Sequence, residues 1–397
     1  MKRIIFHIDV NNAFLSWTAV AMLKQGHKQD IRKIPSVVGG DETKRKGVVL
    51  AKSFPAKKAG IVTGEPLYQA RRKVDKLLVV PGARDKYQEY SNAFYKLLCK
   101  YSPVIERYSI DECFMDMTGM ELIYKDLIKL AYKIKDEIYN TLGFTVNVGI
   151  GNSKLCAKMA SDFEKPNKVH TLFNDEIKTK MWSLKVDDLF MVGKSSSSKL
   201  HQMGIDTIGD LAKTDVNLLI KYFKSQGKLM HDYANGIDNS LVERPIPKNQ
   251  GIGHSTTLPE DVNDIPDLKK VIRRLSEMVG IRLRKENKYA TVVSVQLKNN
   301  AFSTYIHQKK LINPISSDED IYDVACELLK NMYKGDPIRL VGVRVSDFTD
   351  KTYEQISLFE EVGKQEKREK VQKTLDEINK KYGKNIIKSA ALYQNDD

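Results

Sequence analysis

Asp9, Asp111 and Glu112 stand where carboxylates look out of place in this 397-residue chain. Asp9 closes the apolar run of residues 3–10, and Asp111-Glu112 interrupts RYSIDECFMD, whose Tyr108, Ile110, Cys113, Phe114 and Met115 suit a buried strand pair. A buried carboxylate without a partner is costly, so such acids come with a cation, a hydrogen-bond network or an exposed turn. One explanation is structural: Asp9 caps the next helix and Asp111 serves a tight turn. The other is chemical. Three carboxylates at neighbouring strand ends form a hard oxygen site suited to Mg²⁺. Two such ions activate an attacking hydroxyl and stabilise a leaving pyrophosphate during in-line displacement. A helix starting directly after Asp9 would offer the N–H groups of Asn12 and Ala13 to a triphosphate. Lys57, Lys58 and Lys165 would supply the cationic side.

The elements that must hold these groups can be read from periodicity. Residues 3–10 form a buried-strand pattern, and residues 11–26 carry helical spacing (Phe14, Trp17, Val20, Leu23) that stops at Gly26. A hairpin is expected in PSVVGGDETKRKGVVLA, followed by the basic, glycine-bearing AKSFPAKKAGIVTG. Helices are expected over 86–101 and 122–141, with a strand, turn and strand around SIDE between them. The strand FTVNVGIG leads into the helix of SKLCAKMASDFEKPN, which Pro166 helps to end. Strand and helix alternation with acids at strand ends suggests an α+β catalytic core.

From 173 to 240 the pattern is helical, and DLFMVGKSSSSKLHQMGIDTIGDLAK resembles a helix-hairpin-helix. Its glycine turn, with Gly193 and Lys194 at a helix start, would let backbone N–H groups approach a phosphate. An ordinary helical hairpin is the competing reading. RPIPKNQGIG, residues 244–253, reads as a linker. Strand, helix, strand, strand, helix and strand then run to Phe348, with middle strands over 288–299 and 302–311.

The length implies two to four domains, and 41% hydrophobic with 29% charged residues describes a soluble globular protein. No apolar run is long enough to span a bilayer, and Asp9 breaks the signal-like N-terminus. Four scattered cysteines suit a reducing cytosol and give no zinc or disulfide pattern. A net charge of +14 points to a polyanion only where the charge clusters. It clusters in residues 281–310, where Arg282, Arg284, Lys285, Lys288, Lys298, Lys309 and Lys310 face only Glu286.

The motifs IDVNNAF, VVLAKSFPAKKAGI, YSIDECFMD, VGIGNSKLCAKMASDFEKPN and MVGKSSSSKL, in this order across about residues 1–350, resemble those of Y-family translesion DNA polymerases of the DinB/UmuC group. The resemblance implies an α+β multidomain right hand. Its palm would be residues 1–12 and 81–172, with small fingers over 13–80 and a helical thumb over 173–240. A linker over 241–253, an α+β little finger over 254–349 and a clamp-binding tail over 350–397 would complete it. It makes Asp9, Asp111 and Glu112 the catalytic metal carboxylates for two Mg²⁺ ions, with the Val10 carbonyl as a further ligand. Lys57 and Lys165 would meet the triphosphate, and Phe14 would be the steric gate beneath the sugar. Primer-template DNA and dNTP would be the substrates of a cytoplasmic, monomeric enzyme of low fidelity and processivity, with no stretch left for a proofreading exonuclease. Gln355-Ile356-Ser357-Leu358-Phe359 resembles the pentapeptide that binds the bacterial sliding clamp, through a glutamine hydrogen bond and a buried Leu-Phe pair. Beyond it, Val371, Leu375, Ile378 and Tyr382 form a helical stripe expected to pack on the body.

The chain departs from the family pattern at four positions. Asn11 replaces a common second acid, which is not an essential ligand. The usual Tyr-x-Ala-Arg reads Phe54-Pro55-Ala56-Lys57, so a hydroxyl is lost and a bidentate arginine becomes a point charge. Ala51 replaces a hydroxyl, leaving Ser53 as a substitute. Two other functions compete: a noncatalytic clamp-tethered DNA-binding factor, and a nucleotide cyclase suggested by Gly39-Gly40-Asp41-Glu42. Intact acids argue against the first. A charged turn without the following aromatic makes the second a hairpin.

Overall fold

The computed structural model describes residues 3–41, 45, 47–243, 250–350 and 364–383. Residues 355–359, with Gln355, Leu358 and Phe359, lie outside them, as do Glu42 and linker residues 244–249. The chain divides into two units that meet in sequence near residue 246.

The first unit is built on a five-stranded sheet ordered Ile105–Arg107, Glu112–Asp116, Ile5–Val10, Val146–Gly151, Val169–Leu172. Ile5–Val10 is buried along its whole length because both faces are covered. Alternation sends Phe6, Ile8 and Val10 into a core with Trp17, Phe94, Ile134 and Phe144, from helices Ala13–Lys24, Arg84–Leu98 and Leu127–Leu142 and the loop after the last. Ile5, His7 and Asp9 therefore share the other face, where helix Lys154–Asp162 packs. Gly149 makes that packing possible: a Cβ there would lie 1.9 Å from the Ala157 carbonyl oxygen.

The helix expected over 122–141 is broken. A single turn, Glu121–Tyr124, ends at Lys125 with φ 57°, and Asp126 caps a new helix by accepting the Lys129 N–H at 3.0 Å. Local capping overrides the apolar spacing that links the two segments. The expected hairpin forms between Ser36–Gly39 and Val49–Lys52, and Leu78–Val80 joins Ser36–Gly39 in parallel to complete a small sheet. Its core is Val37, Val49, Ala56, Ile61, Leu67, Ala70 and Leu77. Four helices, Lys194–Gln202, Ile208–Lys213, Val216–Phe223 and Ser225–Ala234, follow in the expected helical region, preceded by short 3-10 and π turns.

The second unit is a four-stranded antiparallel sheet ordered Thr304–Ile315, Tyr289–Asn299, Ile338–Thr349, Gly251–Val262. Helices Ile265–Lys285 and Asp318–Met332 cover one face. The strand expected over 302–311 runs later, Thr304–Ile315, and lies at the sheet edge. Helix Lys364–Tyr382 is tied to this unit by ion pairs from Asp376 to Arg284 and from Arg368 to Asp320 and Asp323. Val371 and Tyr382 of the predicted stripe are exposed, whereas Leu375 and Ile378 are half-buried.

Candidate active site

Register brings the three acids to one end of one sheet. Asp9 lies opposite Glu112 on one neighbour strand and opposite Asn147 on the other. The Tyr108 and Ser109 N–H groups donate to the Glu112 carbonyl at 3.0 and 3.3 Å, closing a tight turn. The Val10 N–H donates to the Asp111 carbonyl at 3.0 Å, which pins that turn beside the end of the first strand. Ser109 Oγ donates to Asp111 Oδ1 at 2.6 Å. Asp111 thus serves a turn, but Asp9 caps nothing: Asn12 is the residue before helix Ala13–Lys24, in a left-handed conformation with φ 47°.

Cations come from helix Lys154–Asp162 and the loop after it. Lys165 pairs with Asp9 and with Asp162 Oδ1 at 2.7 Å, and Lys158 donates to Glu112 Oε1 at 2.5 Å. One helical turn earlier, Lys154 holds Glu106 at 2.7 Å. Lys158 went unread in the sequence, where its signal is a lone lysine among the apolar and small residues of LCAKMAS; in the fold its side chain is 12% exposed on a helix otherwise buried nearly all round. Asp9 is 6% exposed, and burial pushes its carboxyl up to about 6; Lys165 and Lys158 offset this and Glu112 adds to it. Among the described residues no three His, Cys, Asp or Glu side chains converge closely enough to hold an ion unaided. Each acid is engaged by its own donor. The donor set still fits Mg²⁺: Asp9, Asp111 and Glu112 offer only hard oxygen at one end of one sheet.

Two further residues organise this end. His7 is fully buried, with Nδ1 2.8 Å from Ser161 Oγ and its ring centroid 4.6 Å from that of Phe114. Ser161 donates to the Lys158 carbonyl, so His7 is the donor, and burial followed by Lys158 and Lys165 keeps it neutral. Asn147 donates to the carbonyls of Ser161 and Glu164 at 3.0 and 2.6 Å, and its Oδ1 accepts from Asn11 Nδ2 at 3.1 Å. Asn11 Oδ1 accepts the Asn167 N–H at 2.9 Å. Asn11 is therefore a buried strut; an aspartate there would set a carboxylate oxygen against Asn147 Oδ1.

Asn12, Ala13, Phe14, Leu50, Ala51, Lys52, Lys57, Thr63 and Asp111 line a cavity of 280 Å³. Phe14 is half-buried, packing on Tyr87 with ring centroids 4.8 Å apart. Lys57 is exposed toward solvent. Ser53 requires correction. It is 1% exposed and caps helix Phe54–Lys58, with Oγ accepting from Ala56 and Ser36 N–H and donating to the Ile34 carbonyl. Its hydroxyl is spent on folding.

Gly193 starts helix Lys194–Gln202 without a side-chain cap, with open space where a Cβ would be, and Lys194 is exposed. In the second unit Arg284 requires correction too. Its side chain is 9% exposed, bonded to Asp318 at 2.7 Å, Asp376 at 2.6 Å and the Ser316 carbonyl, so it faces no phosphate. Lys288 and Lys309 are paired with Asp350 and Glu327. The basic cluster is thus not one surface: exposed Arg282 donates to the Gly253 carbonyl from the helix layer, while Lys298 lies on the opposite sheet face, near the Phe302 ring. Arg344 shares that face, exposed and lying across Gly251 and Gly253. Alternation in the strand LVGVRVS carried its signal.

Asp9→Asn should stabilise the metal-free protein near neutral pH. A carboxylate raised in the fold from 3.8 to about 6 favours folding fully only below 3.8, and that contribution is lost as pH rises through 6. The loss is at most about 3 kcal/mol. Urea unfolding in EDTA should show the variant more stable than the parent at pH 7.5 and level with it near pH 4. A stability difference that does not change with pH would contradict this.

The sequence model of the impB/mucB/samB family matches residues 8–162, and that of the family's C-terminal domain matches residues 249–358. One described as DNA polymerase-iota, thumb domain, matches residues 187–238. A DNA polymerase IV of Clostridium acetobutylicum is 50% identical, with 100% of each chain covered. DNA polymerase IV 1 of Bacillus subtilis is 32% identical, covering 100% of this chain and 94% of its own. Among solved structures, a Y-family DNA polymerase chimera of Dbh and Dpo4 shares the fold, with a TM-score of 0.75 at 24% identity over 87% of this chain and 98% of its own. A Dbh ternary complex gives a TM-score of 0.58 at 25% identity, covering 86% and 98%.

Proposed function

Because the chain belongs to the impB/mucB/samB family and is a DNA-directed DNA polymerase of the DinB-type Y-family, we propose that it copies damaged template by two-metal nucleotidyl transfer at Asp9, Asp111 and Glu112. The observation that carries this reading is the register that sets those acids at the strand end from which helix Ala13–Lys24 departs, beside a cavity lined by Asn12, Ala13, Phe14, Lys57 and Asp111. When bound, two Mg²⁺ ions held by the three carboxylates and the Val10 carbonyl would activate the primer 3′-hydroxyl and stabilise the departing pyrophosphate. The chain's own groups do the rest. The N–H groups of Asn12 and Ala13 orient the triphosphate, Lys57 and Lys165 neutralise it, and Phe14 closes the space beneath the sugar.

The five-stranded sheet serves as palm, residues 1–12 and 81–172, and the small sheet belongs to the fingers, residues 13–80. Residues 173–240 form the thumb, where Gly193 and Lys194 meet a DNA phosphate. Residues 254–349 form the little finger, where Lys298 and Arg344, on the sheet face away from the helices, meet the duplex; Arg282, in the helix layer, lies off that face. Residues 355–359 recruit the sliding clamp. The enzyme acts as a monomer in the cytoplasm; among the described residues no helix is long and apolar enough to cross a membrane. Primer extension with Mg²⁺ and dNTP tests the reading. DNA binding without extension would favour a noncatalytic clamp-tethered factor, and product from GTP or ATP without primer would favour a cyclase.

Phe14→Ala should admit ribonucleotides at a much higher ratio while retaining deoxynucleotide incorporation. A residue needed only for packing would behave otherwise: its truncation costs about 3–5 kcal/mol and depresses both activities together. Incorporation efficiencies for rNTP and dNTP, with a thermal melt, separate the cases. An unchanged ratio beside a sharply lowered melt would place the gate elsewhere.

A further inference from the structure

Lys52 ends strand Val49–Lys52 and lines the same cavity as Asn12, Ala13, Phe14, Lys57 and Asp111. Its side chain is half-buried, and its one hydrogen bond is a long donation, 3.3 Å, to the neutral Thr63 hydroxyl. Among the described residues it makes no ion pair. Glu65 offsets its charge only partly, because that carboxylate is held by Lys73 at 2.5 Å and by the Val62 N–H at 3.0 Å. Burial first, then the charge of Lys57, holds the Lys52 ammonium below the usual lysine range. Half-buried Lys52 and exposed Lys57 therefore share one cavity whose lining has a single carboxylate, Asp111, and Lys52 has no ion-pair partner among the described residues, an arrangement that a multivalent anion would relieve.

We propose that Lys52 is a phosphate ligand for the incoming nucleotide, a further ammonium acting beside Lys57. The assignment rests on the polymerase reading of the cavity. It also accounts for the departures in this segment. Phe54 lacks the hydroxyl and Lys57 the bidentate fork that the related motif commonly supplies, and Lys52 returns N–H donors to the wall that lost them. Lysine satisfies a phosphate as a point charge on a flexible stem, which suits a residue reaching past its neighbour from a strand end.

The test is a titration of non-hydrolysable dNTP, and separately of inorganic tripolyphosphate, into the protein bound to primer-template with Mg²⁺. Lys52→Ala should weaken both by about tenfold, Lys52→Arg should retain most of the affinity, and the melting temperature should stay near that of the parent. Lys129→Ala, on an exposed helix position far from the cavity, serves as the control and should change neither. Unchanged nucleotide affinity in Lys52→Ala overturns the proposal. So does a loss for dNTP without a loss for tripolyphosphate, which would put the contact on sugar or base. A loss of primer-template affinity alone would move Lys52 to the DNA and also overturn it. A parent protein that binds primer-template but neither probe would instead overturn the polymerase reading of the cavity.

Discussion

Asp111→Ala and Glu112→Ala proteins will bind primer-template about as well as the parent and will not extend it. The acids sit at the strand end and in the turn that Val10 pins, where Glu112 is held by Lys158 and Asp111 by Ser109. Neither side chain is part of the hydrophobic core, so removal leaves the sheet folded. What is lost is charge stabilisation of the attacking and leaving oxygens, worth several kcal/mol of barrier, roughly a thousandfold or more in rate. Single-turnover extension, with DNA binding followed by anisotropy, measures both quantities. Robust Mg²⁺-dependent extension by the double variant would remove these residues from the chemistry. Loss of DNA binding in step with activity would make them structural.

The second large effect concerns the tail. Leu358→Ala with Phe359→Ala should abolish stimulation of synthesis by the sliding clamp while leaving distributive synthesis on short primers intact. Burying each of those side chains in an apolar pocket is worth roughly 1.5–3 kcal/mol, so losing both should weaken clamp binding a hundredfold or more. A titration of purified clamp reads this directly. Unchanged affinity would show that the pentapeptide is not the contact.

Local chemistry made much of the molecule legible. The apolar run of residues 3–10, the glycine-stopped helix after it and the turn at Asp111-Glu112 are encoded within a few residues of where they act, and they appear in the fold. Long-range choices were harder to read. Lys158 and Lys165 lie close together in sequence but partner acids 46 and 156 residues away, and their spacing gives no hint of which lysine takes which acid. Arg284 was misread because a count of charges does not show which side chain meets Asp318 and Asp376 in a buried cleft. Ser53 was misread for a related reason: a hydroxyl beside a segment read as phosphate-binding is also the best available helix cap. Arg344 was missed because an arginine in an apolar strand draws attention only once the covered face is known.

Asn147 ties the end of the first strand to the segments at 161, 164 and 168 through one amide, which braces the strand end carrying Asp9 against the loop carrying Lys165. The Leu50–Lys52 side of the cavity belongs to a three-stranded sheet, with a seven-residue core on one side and Val38, Ala51 and Val80 packed against Leu15, Ala19 and Ile31 on the other. A gauge rejects a misfit only when both jaws are stiff enough for the misfit to strain them. Here the first jaw is braced by buried amide bonds and the second is a small sheet, so a base pair of the wrong shape is expected to be accommodated mainly by the second. Cross-bracing the small sheet should then trade tolerance of distorted template for accuracy, read as the misincorporation ratio of the braced variant.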